Sequence, residues 1–97
     1  MANSAELADS VLLAAASIPP GSVSTYGDVG RVVGCGPRLV ARILATQGGG
    51  TCWWRVVRAD GSIAEPLVSE ATRHLAAEGI MVRDGRVDLP ALRADLG

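Results

Sequence analysis

The sequence predicts a small α+β domain of the winged helix-turn-helix type, and three observations predict it. Two helix-length segments, 26–33 and 37–46, flank the three-residue turn Gly34-Cys35-Gly36. A β-branched and aromatic run, Trp53 to Val57, ends in the turn sequence Arg58-Ala59-Asp60-Gly61. A second hairpin signal stands at Asp84-Gly85. Helix, short Gly-containing turn, helix is the helix-turn-helix pattern, and the strands that follow it are material for a wing. With 97 residues the chain is expected to be one domain over 1–97, near the lower end of what packs a single core.

The elements follow in order. Asn3 or Ser4 is placed to cap a first helix, with Glu6 three residues after Asn3 completing a capping box. Leu7, Val11, Leu12 and Ala15 form its apolar stripe at helical spacing, and Pro19-Pro20-Gly21 ends it. Thr25 caps the next helix, Tyr26 to Val33, with Asp28 at the third position. Pro37 suits the first position of the helix running to about Thr46. Gly48-Gly49-Gly50 is a hinge, and "WWRVV" is expected to be a strand, with Ser62-Ile63 a short return. A helix is expected from about Pro66 to Glu78. Residues 80–89, "IMVRDGRVDL", read as a hairpin on a type I′ Asp84-Gly85 turn, and residues 90–96 as a last helical turn.

Composition narrows the function. Hydrophobic residues make up 48% of the chain, but Phe is absent and Tyr26, Trp53 and Trp54 are all the aromatics. The core must be aliphatic, which leaves three aromatics, placed near Gly and Arg, as candidates for surface or pocket duty. No apolar segment has the length of a membrane span and the start "MANSAELAD" lacks a basic region, so a cytoplasmic protein with no membrane partner is expected. Cys35 and Cys52 form no CxxC pair and have no nearby His, so neither a metal site nor a cofactor is expected.

Net charge is only −1, yet it is unevenly spread. Residues 1–28 carry Glu6, Asp9 and Asp28 and no base. From Val29 to Ala59 there is no acid and there are five arginines, Arg31, Arg38, Arg42, Arg55 and Arg58. From Asp60 onward acids again exceed bases. A basic block in a neutral chain is the electrostatic footprint of a nucleic-acid partner. Arg38 and Arg42 stand four apart, so they share one face of the second helix of the pair, and the small Ala41 and Ala45 beside them allow close approach. An Arg-bearing solvated face is the plain alternative; joined to the helix-turn-helix pattern, DNA binding is the better reading. Tyr26 is either a boundary aromatic bonded to backbone or a ring aimed at DNA.

"IPPGSVSTYGDVGRVVGCGPRLVA", then "WWRVVRADG", then "LAAEGI", in that order over about residues 18–80, resemble the DNA-binding domain of O6-alkylguanine-DNA alkyltransferases. Their pattern is roughly IPxGxVxTYGxxA, ARxVG, PCHRVV and LxxEG. In length the chain is closer to the alkyltransferase-like proteins, whose reactive Cys is replaced. The sequence departs from the pattern in PRLVA for ARxVG, in Trp54 for His, and after Gly61, where "SIAEPLVSEATRHL" lacks the usual Gly and Gln and places Glu65 near a DNA-facing rim.

Anchored on Arg55-Val56-Val57, the resemblance puts Trp53 in the alkyl acceptor's position, Cys52 at the Pro and Trp54 at the His. Alternation along a strand would turn Cys52 away from the side that residue 53 faces. A thiol nucleophile also needs a base in reach, and the single His74 lies in a later helix. No catalytic residue is therefore assigned, and Glu78, which resembles the family's acidic member, lacks the His to relay. Trp53 is either a core aromatic or a wall against a flipped base.

The resemblance also implies roles. Arg38 matches the arginine that replaces the extruded nucleotide in the stack, Tyr26 the tyrosine that helps rotate it out, and Arg42 meets phosphate. The Val56 backbone would meet the guanine edge, and Ala41 suits a helix entering the minor groove. The expected function is a non-enzymatic sensor of O6-alkylguanine in double-stranded DNA, monomeric. It would flip the lesion into a pocket of Tyr26, Trp53, Trp54 and Val56 and mark it for nucleotide excision repair. The alternative is a winged-helix DNA-binding module or regulator without lesion recognition; an enzyme using Cys52 ranks third.

Overall fold

The computed structural model describes residues 4–96. Helices α1 (Ser4–Ala16), α2 (Tyr26–Val33) and α3 (Pro37–Gln47) precede two short 3₁₀ turns, Gly48–Gly50 and Trp53–Arg55. Strand β1 (Ser24–Thr25) leads into α2, and β2 (Val56–Val57) leaves the second turn. Helices α4 (Val68–Ala77) and α5 (Leu89–Leu92) complete the chain.

Local chemistry accounts for the helix-turn-helix. Thr25 is extended at φ −106°, and its Oγ1 accepts the backbone N–H of Asp28 at 2.9 Å, capping α2 as expected. Gly34 ends α2 in the left-handed conformation, φ 89°, where a side chain would be strained. The N–H groups of Gly34 and Cys35 both donate to the Gly30 carbonyl, at 2.7 and 2.8 Å. A Cβ on Gly30 would run into the carbonyl of Cys35, so this glycine is what lets the chain fold back so tightly. Pro37 then opens α3 with its φ already set. The proposed Asn3 cap of α1 lies outside the described residues.

Two apolar clusters meet at the strands. Ala8, Val11, Ala15 and Ile18 pack with Val29, Val40, Ile43, Leu44 and Val56. Val23, Val57, Ile63, Ala71, Leu75, Ile80, Val87 and Leu89 form the second. Strand β1 pairs with β2 in parallel, Ser24 with Val56 and Thr25 with Val57. Because successive side chains point to opposite faces, Val56 enters one cluster and Val57 the other. The two-residue pairing is the seam between them. Each fully buried Val, Leu or Ile here contributes about 1.5–3 kcal/mol.

The wing is irregular. Arg58–Gly61 turns as expected, with Gly61 at φ 84° donating to the Arg58 carbonyl at 2.8 Å. Asp84 and Gly85 both have positive φ, 51° and 72°, and Arg83 and Arg86 exchange backbone hydrogen bonds of 2.9 Å around them. That is the type I′ turn. The flanking pairs stay isolated bridges, Ser62 with Arg86 and Arg83 with Arg86. The fourth helix starts at Val68, two residues later than expected, and the last helical turn is α5, centred earlier than 90–96.

"WWRVV" is not a strand throughout. Only Val56 and Val57 pair; Trp53–Arg55 is a 3₁₀ turn closed by the Arg55 N–H donating to the Cys52 carbonyl at 3.0 Å. Strand propensity reflects a side chain's fit to a half-buried sheet, and here no neighbouring strand extends beyond Ser24. The inference that Cys52 and Trp53 face opposite ways by strand alternation therefore lapses.

Candidate nucleic-acid interface and base pocket

The exposed face of α3 carries Arg38, Arg42 and Ala45, while Val40, Ile43 and Leu44 are buried behind it. Arg31 and Arg58 are exposed as well. Arg31 leans on Asp28 at 3.5 Å with 72% of its side chain accessible. The fifth arginine of the basic block is not part of the footprint. Arg55 is 8% exposed, and its guanidinium is used inside the protein.

Arg55 holds the 3₁₀ turn in place. Its Nε donates to both Glu78 oxygens, at 3.0 and 3.1 Å, and Nη2 to Oε2 at 2.8 Å. Nη1 donates to the Ile18 carbonyl at 2.8 Å and to Cys52 Sγ at 3.1 Å. Glu78 also accepts the Gly21 N–H at 3.1 Å and the indole N–H of Trp54 at 2.8 Å. Burial alone would raise the Glu78 carboxyl, but the bonds from Arg55, Trp54 and Gly21 outweigh it and hold the pKa down at about 2. Trp54 thus gives the acidic residue the N–H that the sequence comparison with a His had left missing.

His74 is the residue the sequence failed to place. Its ring lies parallel to Trp54, centroids 3.9 Å apart and planes 9° apart, and edge-on to Trp53 at 5.9 Å. Trp53 and Trp54 are themselves perpendicular, 85° at 5.9 Å. The stacked pair buttresses Trp53. One signal was available: His74 precedes Glu78 by four, so both share a face of one helix.

Trp53 borders a cavity of about 440 Å³ that opens beside α3. Tyr26, at the N-terminus of α2, lines it, with Ala41, Leu44 and Ala45 from α3 and Gly49 from the first 3₁₀ turn. Ala64, Glu65, Pro66, Leu67 and Glu70 close the other side. Burial raises the Tyr26 phenol above its ordinary range, with Arg58 opposing. The structure therefore brings together Tyr26, Ala41 and Trp53, and puts Glu65 on the rim as anticipated. It does not bring in the other two. Trp54 turns onto α4, where its N–H is claimed by Glu78, and lines an adjoining depression that shares Gly49, Trp53 and Glu70 with the cavity and adds Arg73, His74 and Ala77. Val56 is 3% exposed in the first apolar cluster and does not line the cavity. Trp53 also packs on the second cluster, so it serves as core filler and wall at once.

Chemically, the position facing the cavity offers an indole, which has no thiol to ionise and accept an alkyl group. Cys52 is absent from the lining, and its sulfur accepts a hydrogen bond from Arg55.

Comparisons with known proteins follow the same lines. Residues 6–80 match the profile of the DNA-binding domain of 6-O-methylguanine DNA methyltransferases. The DNA base-flipping proteins of Escherichia coli K12 and Shigella flexneri are each 38% identical over 85 residues, covering 80% of this chain. That match takes in 66% of their own length, just under two thirds. Schizosaccharomyces pombe Atl1 in complex with damaged DNA containing O6-carboxymethylguanine superimposes with a TM-score of 0.88 at 24% identity. S. pombe ATL in complex with DNA gives 0.84 at 26%. In both cases 97% of this chain and 99% of the other are covered.

Proposed function

Because the chain belongs to the family of the 6-O-methylguanine DNA methyltransferase DNA-binding domain, as an alkyltransferase-like protein, we propose that it is a DNA-damage sensor. It binds O6-alkylguanine in duplex DNA, flips the nucleotide and holds it without removing the alkyl group. The observation that carries this reading is the position of Trp53: an indole where a reactive thiol would stand, bordering a cavity that opens beside Tyr26 and the Arg38–Arg42 helix.

In this reading α3 lies in the minor groove, and Arg38 fills the gap left in the base stack. Arg42 meets phosphate, and Tyr26 turns the nucleotide out. Extruding a base costs a few kcal/mol, least where pairing is already weakened by damage; stacking on an aromatic wall returns about 1–3 kcal/mol. The pocket proposed is Tyr26, Ala41 and Trp53, with Trp54 acting one step behind as the support of Trp53. Holding without repair requires a downstream process, for which we put forward nucleotide excision repair. The names of the E. coli and S. flexneri relatives and the DNA bound to the two fission-yeast proteins support the reading.

Titration of tryptophan fluorescence against duplexes that differ only in guanine or O6-methylguanine at one site tests it. Tighter binding of the methylated duplex is expected. Equal affinities would leave a winged-helix module that does not recognise lesions. Faster incision of the same methylated duplex by a nucleotide excision repair extract on adding the protein is expected of the downstream role, and an unchanged rate would remove it.

A further inference from the structure

We propose that Glu65 and Glu70 make the cavity select adducts by charge, admitting neutral and cationic O6 substituents and turning away anionic ones. This rests on the reading of the cavity as the seat of a flipped alkylguanine and goes beyond it to the chemical class of substituent, and it sets this chain apart from S. pombe Atl1, whose bound DNA carries the anionic O6-carboxymethylguanine.

A protein that binds a polyanion has reason to keep carboxylates away from the contact. Here two line the cavity itself, Glu65 from the segment before α4 and Glu70 from the first turn of that helix. The ion pairs among the described residues join Arg31 and Arg93 to Asp28, Arg55 to Glu78 and Arg86 to Asp60, so neither Glu65 nor Glu70 has a cationic partner. No arginine lines the cavity. Arg38 and Arg42 project from the exposed face of α3, and Arg73 lies in the neighbouring depression that Glu70 and Trp53 also border.

The remaining walls are mostly hydrocarbon, from Ala41, Leu44, Ala45, Pro66 and Leu67. Apolar walls make charges felt more strongly than open water does. An alkyl group meets these walls without penalty. A carboxylate on the same oxygen loses hydration, meets two like charges and finds no guanidinium. An ammonium at the end of a short chain finds two acceptors. Glu65 and Glu70 are exposed, so their removal does not disturb the core.

The test uses four duplexes identical except at one guanine: unmodified, O6-methyl, O6-(2-aminoethyl) and O6-carboxymethyl. Competition binding is expected to rank aminoethyl at least equal to methyl, and methyl at least about tenfold tighter than carboxymethyl. In the double variant E65Q/E70Q the methyl-to-carboxymethyl ratio is expected to shrink to within about threefold. The double variant is expected still to prefer the methylated over the unmodified duplex. Using ratios cancels the general gain in DNA affinity when two negative charges are lost.

Carboxymethyl bound as tightly as methyl, or a ratio unmoved in the double variant, overturns charge selection while leaving lesion recognition standing. Equal binding of methylated and unmodified duplexes overturns the lesion reading, and this inference with it.

Discussion

Trp54 and Glu78 are joined by a 2.8 Å hydrogen bond from the indole N–H to Oε2. The bond ties the turn that presents Trp53 to the end of α4. Because Glu78 also takes Arg55 and the Gly21 N–H, one carboxylate fixes the 3₁₀ turn, the loop after α1 and α4 together. The pocket wall stands on this anchor.

Removing the anchor is predicted to be severe. E78A leaves the Arg55 guanidinium, which has 10% of its side chain exposed, buried without a counter-charge. Breaking such a pair costs about 3–5 kcal/mol, a large share of the 5–15 kcal/mol that holds a domain together. W54F removes one donor while Arg55 still satisfies the carboxylate, so the expected loss is about 1–2 kcal/mol. Urea unfolding midpoints of the two variants check the order; equal midpoints would place the anchor elsewhere.

The same carboxylate sets an acid limit. In the folded protein Glu78 titrates at about 2, below its ordinary 4.5, so folding favours its ionised form. That contribution is complete above about pH 5 and is lost as pH falls toward 2. Asp28 adds in the same direction, lowered first by its hydrogen bonds from Arg93 and then by Arg93 and Arg31 charge against the opposing effect of burial. Unfolding midpoints measured down from neutral pH are expected to fall below about pH 5. E78Q should flatten part of that slope.

A third prediction concerns the turn between α2 and α3. G30A places a methyl against the Cys35 carbonyl, and backbone cannot yield as a flexible side chain does. A loss of about 1–3 kcal/mol is expected. G49A, where an added Cβ meets nothing within 4 Å, serves as the control and should be close to neutral.

What the sequence made legible was local. The Thr25 cap, the Gly34 stop, Pro37 and the paired positive φ at Asp84-Gly85 each need only neighbours a few residues away, and each forms as read. The parts that were not legible depend on distant partners. Arg55 looked like a DNA contact because its counter-charge lies 23 residues on. Trp54 looked like a pocket wall because nothing local announces that its N–H belongs to Glu78. The run Trp53–Arg55 looked like a strand because its residue types suit one, while the sheet it would join is only two residues long. His74 becomes part of the site only once α4 is folded against that turn.

Trp53 is predicted to separate binding from stability. It is half-buried, so W53A costs some packing, but the larger effect should fall on the lesion. Loss of a stacking wall removes about 1–3 kcal/mol of affinity for a flipped base and leaves binding to unmodified duplex nearly unchanged. Anisotropy titrations with both duplexes read the difference. Indifference of both affinities to W53A would favour a module that never extrudes a base.

Arg38 and Arg42 are predicted to fail in different ways although they share the exposed face of α3. With Arg55 withdrawn, at most Arg31, Arg38, Arg42 and Arg58 of the basic block meet phosphate, which bounds the log–log salt slope at about −3.6. If Arg42 contacts phosphate, R42A weakens binding to methylated and unmodified duplexes alike and reduces the slope by about 0.9. If Arg38 occupies the vacated stack, it contributes only when a nucleotide is out. R38A should then reduce affinity for the lesion more than for unmodified DNA, and 2-aminopurine placed beside the lesion should lose its fluorescence rise. Identical behaviour of the two variants, in slope and in lesion preference, would make both arginines simple phosphate contacts and leave the extruded base without a surrogate in the stack.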